Sequence, residues 1–171
     1  MQLVRRDATV RILACTPSHT AAGYLFERLA AAGLDSDKLY RFTAPLPHED
    51  DASDVVRTFS QTTRHERLLA FRVVVSICPE AGVLQNLNVP VGHFSHIIID
   101  DAVQAEEPLA MIPIMAFSNL DTRIILAGDP NQLGPDIKSP TAARSGLGKS
   151  YFERLVFMSD VYGLDTQVGK T

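Results

Sequence analysis

Positive charge is the first thing this chain lacks. Its 171 residues carry 16 Lys and Arg against 20 Asp and Glu, a net charge of −4. No global basic field is available to draw in nucleic acid, so any such role needs a local site. Cysteine is scarce too. Cys15 and Cys78 are the only two, both in apolar, strand-like segments without metal-ligand spacing around them, which reads as buried free thiols in a reducing compartment. Long hydrophobic runs are missing. The longest apolar patch, Leu109–Phe117, is too short to span a bilayer and contains Pro113. The N-terminus, MQLVRRDATV, has no apolar signal core. These absences predict an intracellular chain, in cytosol or nucleus, with no membrane partner. No internal repeat or low-complexity run occurs. The polar end Asp165–Thr171 stops without a closing element, as a segment cut from a longer chain would.

What is present suits one globular domain: 46% hydrophobic and 21% charged residues. Val10–Cys15 (VRILAC), Phe71–Ile77 (FRVVVSI), Phe94–Ile99 and Arg123–Ala127 are short, uninterrupted apolar runs and read as buried strands. Between them lie helical segments: Ala21–Ala32, capped by Ser18 or Thr20 and ended by Gly33; Asp54–Leu69; a short helix or turn over Pro79–Asn86; and Leu109–Phe117. Tyr151–Met158 is the last helix, and Thr43–Ser53, with two prolines and three acids, is an exposed loop. Apolar strands alternating with helices predict an α/β fold, a parallel sheet covered by helices on both faces.

In such sheets ligands bind outside the carboxyl ends of the strands. The four strands deliver Thr16-Pro17-Ser18-His19-Thr20, Cys78-Pro79-Glu80-Ala81-Gly82, Asp100-Asp101 and Gly128-Asp129-Pro130-Asn131-Gln132 to that edge. Asp100, Asp101 and Asp129 are expected to converge there. Crowded carboxylates raise one another's pKa, and a divalent cation with hard oxygen preference relieves the crowding. Magnesium takes one or two protein carboxylates together with substrate phosphates, so the pattern points to a magnesium-assisted phosphate site. The competing explanation is that these acids cap the helices that follow.

The order of motifs adds a family resemblance. RILACTPSHTAA resembles motif Ia of superfamily 1 helicases, near residues 11–22, and RVVVSICPEAG resembles the next nucleic-acid-contacting motif. IIIDDAVQAEEP resembles the Walker B motif II, whose core lies at residues 100–108, and LAGDPNQLGP resembles motif III, at 128–135. The stretch KSPTAARSGLGKSYFERL resembles the continuation of motif III. These five blocks are similar to the Upf-like RNA helicases, within them the MOV-ten/Armitage RNA-silencing branch. The resemblance implies that residues 1–171 form a partial RecA-like P-loop NTPase domain, lacking the P-loop strand, that binds ATP and Mg2+ and single-stranded RNA and is expected to meet RNA-silencing proteins. It implies that Asp100 holds magnesium through water, that Asp101 takes the place of the base orienting the attacking water, and that Gln104 and Gln132 sense the γ-phosphate. Gly128 and Asp129 belong with Gln132 to the nucleotide side. Pro17, Ser18, His19, Thr20, Ala81 and Gly82 would lie along the RNA.

Three departures qualify what the resemblance implies. Asp101 stands where the family has Glu, His19 where Asn is usual with Gly23 where Asp is usual, and no glycine-rich phosphate loop precedes motif Ia. Gly146-Leu147-Gly148-Lys149-Ser150 and Val168-Gly169-Lys170-Thr171 only imitate one: Ala143 and Leu164 occupy the required first-glycine positions. Gly146 and Gly148 are expected as turn residues and Ser150 as a helix cap. His48, His65 and His93 are expected at the surface, His96 packed, and Arg72 and Arg123 solvated at the far edge. The chain by itself is expected to be an inactive piece of a motor domain. The alternatives are a Mg-dependent phosphohydrolase or nuclease using Asp100, Asp101 and Asp129 directly, and a non-catalytic RNA- or protein-binding module. The resemblance also predicts an open apolar edge at Arg123–Ala127, beside which the P-loop strand would lie.

Overall fold

A computed structural model describes residues 2–44 and 67–158. Five parallel strands form one sheet in the order β2-β3-β1-β4-β5: β1 Ile12–Thr16, β2 Leu39–Arg41, β3 Val73–Ile77, β4 His96–Ile99 and β5 Arg123–Leu126. The expected α/β architecture holds. Register is set by the central strand, which pairs Cys15 with Ser76 on one side and with Ile99 on the other.

Side chains alternate across the sheet, and each set finds its own cover. Leu13, Cys15, Val74, Cys78, Ile97 and Ile99 belong to one buried cluster with Ala110, Ile114 and Phe117 of the Glu107–Phe117 helix. Ile12, Ala14, Val73, Val75 and Ile77 belong to the other, with Val4 and Ala22 and with Leu25, Phe26 and Leu29 of the His19–Ala31 helix. This two-sided burial is why β1 and β3 read as continuous apolar runs instead of alternating ones. The helix after β1 thus covers one face and the helix after β4 the other. The connections diverge above adjacent strands, and the crevice this opens between β1 and β4 is where open α/β sheets bind ligands.

The short elements escape the sequence patterns. Gln2–Arg6 is a helix, and Leu39–Arg41 is a strand that pairs with β3 and stacks Tyr40 on Phe71 with centroids 4.8 Å apart. Three residues carry no periodicity, so only the partner strand defines β2. Arg72 corrects an expectation. It is half-buried and donates to the carbonyls of Val10, Val4 and Asp7, tying the N-terminal helix to the sheet. Arg123 is exposed at the far edge, as expected. Of the expected 54–69 helix only its end enters the described residues, where 67–70 are helical. His48, His65 and most of the 43–53 loop lie outside them. Among the described residues β5 has a partner on one side only, and Ile124 and Ile125 are 43% and 40% exposed.

Candidate functional site

The loop after β1 is built by Ser18. Its hydroxyl caps the following helix by accepting from the Ala21 N–H at 3.2 Å, and its carbonyl accepts from the Thr16 hydroxyl at 2.9 Å. Pro17 is half-buried, while Ser18, His19 and Thr20 are exposed. The segment after β3 turns at once into the Cys78–Ala81 helix. Ala81 is fully buried and Gly82 is packed so tightly that an added Cβ would meet Ile112 Cγ2 at 3.0 Å. Ala81 has no exposed surface, backbone included, and Gly82 is half-buried. The two loops are bridged by a contact that sequence could not show: His19 Nε2 stands 3.4 Å from Glu80 Oε1. Only the parallel register of β1 and β3 makes these residues neighbours.

Asp100 sits at the crevice. Its N–H donates to Cys15 O at 2.8 Å, extending the β1–β4 ladder by one residue. Asp101 then turns the chain with φ +57°, a left-handed conformation in which Asp is better tolerated than Glu. Burial, and then the adjacent Asp100 carboxylate, push the Asp101 carboxyl above its ordinary value. The turn is held by Gln104 N–H donating to Asp101 O at 3.0 Å and by Ala102 N–H donating to Ala127 O at 2.8 Å. Gly128 follows directly and must be glycine. A Cβ there would meet Val103 Cγ2 at 2.9 Å and Val103 N at 3.2 Å. Motif II and motif III backbones therefore lie in contact, with Asp129 and Gln132 exposed beyond. The Asp129 carboxylate accepts from the Asn131 N–H at 2.9 Å and its Nδ2 at 3.1 Å.

The three aspartates share the carboxyl edge, yet they do not form one cluster. Among the described residues, no group of three or more His, Cys, Asp and Glu side chains stands close enough to hold a metal ion. The direct three-aspartate hydrolase site is not assembled, and Asp129 has a local role in its own turn. Two crowded carboxylates at Asp100 and Asp101, with hard oxygen donors, fit the smaller demand that magnesium makes when phosphates supply further ligands. Pro17, Pro79, Gln104 and Asp136 line a shared cavity of about 180 Å³, so segments far apart in sequence meet above the sheet.

The remaining placements are structural. Ser150 is buried and accepts from the Glu153 N–H at 3.0 Å, the expected cap. Gly146 turns at φ +109°. His96 is buried, with Nδ1 2.9 Å from Ser95 Oγ, and His93 is half-buried, edge-on to Phe94.

The chain is similar to known proteins over most of its length. The AAA domain family matches residues 48–140. Human RNA helicase Mov10l1 is 37% identical over 148 residues, covering 85% of this chain and 12% of its own length. mov-10-B.1 of Danio rerio is 36% identical over 170 residues, covering 94% and 17%, and armi of Drosophila melanogaster 27% over 181 residues, covering 91% and 15%. The chain thus spans about a sixth or less of these relatives. Two solved structures, the C-terminal part of the Fun30 ATPase domain and the DUF1998 helicase MrfA, overlay with TM-scores of 0.44 and 0.43 at 12% and 16% identity, covering 74% and 87% of this chain and 38% and 21% of theirs. Likenesses that slight carry no argument, and the fold rests on the strand order itself.

Proposed function

The chain belongs to the AAA domain family and, within it, to the Upf-like RNA helicases of the MOV-10/Armitage branch, and from this we propose that it is the part of an ATP-driven RNA motor in which nucleotide and single-stranded RNA meet. The observation that supports the proposal is the packing of Gly128 onto the 101–103 turn beside the β1–β4 crevice. It brings the turn that follows Asp100 against Gly128, with Asp129 and Gln132 exposed beyond, while the Pro17–Thr20 and Pro79–Gly82 segments stand on the same edge. Asp100 would hold Mg2+ through water, and the ion would neutralise charge developing on the transferred phosphoryl group. Asp101 orients the attacking water. Gln104 and Gln132 respond to the γ-phosphate. Ser18, His19 and Thr20 offer exposed donors to RNA phosphates, and the half-buried Gly82 adds its backbone to that track. The same reading assigns the protein to the cytoplasm, working with RNA-silencing proteins.

The test is ATP hydrolysis by the full-length protein carrying Asp100→Asn. Turnover is expected to be lost while single-stranded RNA binding is retained. Undiminished hydrolysis would remove Asp100 from the magnesium site.

A further inference from the structure

We propose that Tyr24 and Arg28, on the helix that follows β1, extend the RNA track: Tyr24 stacks an unpaired base and Arg28 meets a phosphate beside it. The proposal rests on the reading that Ser18, His19 and Thr20 face single-stranded RNA. Helical spacing continues that segment. Thr20, Tyr24 and Arg28 recur every four residues of the His19–Ala31 helix and share one stripe, about 6 Å apart along its axis. All three are exposed. The apolar residues of the helix are accounted for elsewhere, since Ala22, Leu25, Phe26 and Leu29 belong to the cluster packed on the sheet. Tyr24 is outside that cluster and 61% exposed.

The ring is held in place by Arg28. Its NH1 donates to the Tyr24 hydroxyl at 2.9 Å, and its guanidinium carbon lies over the ring, 5.5 Å from the centroid. Among the described residues no other ring or cation stacks on Tyr24, so one face is left for a partner. A face fixed beforehand loses little freedom when a base stacks on it. Gly23, one residue toward the loop, leaves the approach clear, since even a Cβ there would meet nothing within 4 Å. Arg28 is equally available. On a helix an arginine finds a carboxylate three or four residues away. Around Arg28 those positions hold Tyr24, Leu25, Ala31 and Ala32, and the adjacent Glu27 faces another way round the helix. Its positive charge is therefore uncommitted to any acid on its own helix. An open aromatic face beside a free guanidinium matches a nucleotide, a flat base joined to a phosphate, and only a single strand presents the base unpaired. The stripe continues from Thr20, so one strand reaches both the loop and the ring.

Fluorescence anisotropy of the full-length protein with oligo(U) tests this, together with an oligo(U) carrying one fluorescent adenine analogue that stacking quenches. Tyr24→Ala is expected to weaken binding about five- to a hundredfold and to relieve the quenching. Tyr24→Trp, which fills the same exposed position with another aromatic face, should retain both and controls for folding. Arg28→Gln should reduce the slope of log affinity against log salt by about one. Wild-type affinity and quenching in Tyr24→Ala would overturn the proposal and leave this face to a partner other than RNA. A loss in Tyr24→Trp as deep as in Tyr24→Ala would overturn stacking, and an unchanged salt slope in Arg28→Gln would overturn the phosphate contact. A wild type that binds no oligo(U) would overturn the RNA assignment and this proposal with it. Binding that the variants leave untouched would overturn this proposal alone.

Discussion

Two residues show how local chemistry sets this edge, and a third, His96, stands at the opposite end of β4. Gly128 is required by contact, since a methyl group would press on the backbone nitrogen of Val103 as well as on its side chain. Gly128→Ala is expected to cost about 1–3 kcal/mol, read as a lower denaturant midpoint. Asp101 is the shorter acid in a left-handed turn. Asp101→Glu restores the family's residue at the price of about 1 kcal/mol in backbone strain. It should raise ATP turnover of the full-length protein, by up to about 100-fold where water placement limits the rate, and unchanged turnover would show that Asp101 already reaches the water. His96 gives the pH dependence. Burial, and then Arg123, lower its pKa from 6.5, so the unfolded chain binds the proton more readily than the folded one. Stability from this residue is fully present above about pH 6.5 and falls as pH drops through the folded value. Urea midpoints measured on acidification should decline for the wild type in that window and stay flat for His96→Gln.

At the scale of elements, β5 is the exposed one. Its outer edge has no strand partner among the described residues, and Ile124 and Ile125 present apolar surface there. An apolar groove lies beside it, lined by Ile114, Leu126, Phe152 and Leu155 among others. Unprotected edges of this kind pair with other chains. The 171-residue chain is expected to self-associate as concentration rises, and Ile125→Lys to suppress that without altering the circular dichroism spectrum. Static light scattering distinguishes the two. A monomer at every concentration would show that the edge is protected. The last helix is fastened separately, by the Arg154 fork on Glu107 with contacts of 2.8 and 2.6 Å.

For the whole molecule, the sheet order explains why the motif segments stand together. β1 lies between β3 and β4, so the segments after all three strands open onto one crevice, and β5 adds motif III alongside. No described loop cradles a phosphate in the manner of a glycine-rich helix N-terminus. The 171-residue chain is therefore expected to show no poly(U)-stimulated ATP hydrolysis above background in a radiolabelled phosphate-release assay. Robust turnover would mean that the edge at Asp100–Asp101 suffices without such a cradle.

Strand identity, helix order and motif content were legible in the sequence because they depend on local pattern. VRILAC, FRVVVSI and HIII are apolar on both faces, Ser18 and Ser150 are capping residues next to helical stretches, and IIIDDAVQAEEP carries its lineage in its residue types. Other features depended on which strands become neighbours. The β2 strand exists only against β3. Arg72 left solvent because the N-terminal helix offers carbonyls beside it. The contacts His19 with Glu80 and Gly128 with Val103 join residues that no sequence period relates. Sequence determined which chemical groups stand at the ends of the strands. Tertiary structure decided which of them touch, because parallel register and the side taken by each crossover fix those distances, and it separated Asp129 from the pair it had seemed to join.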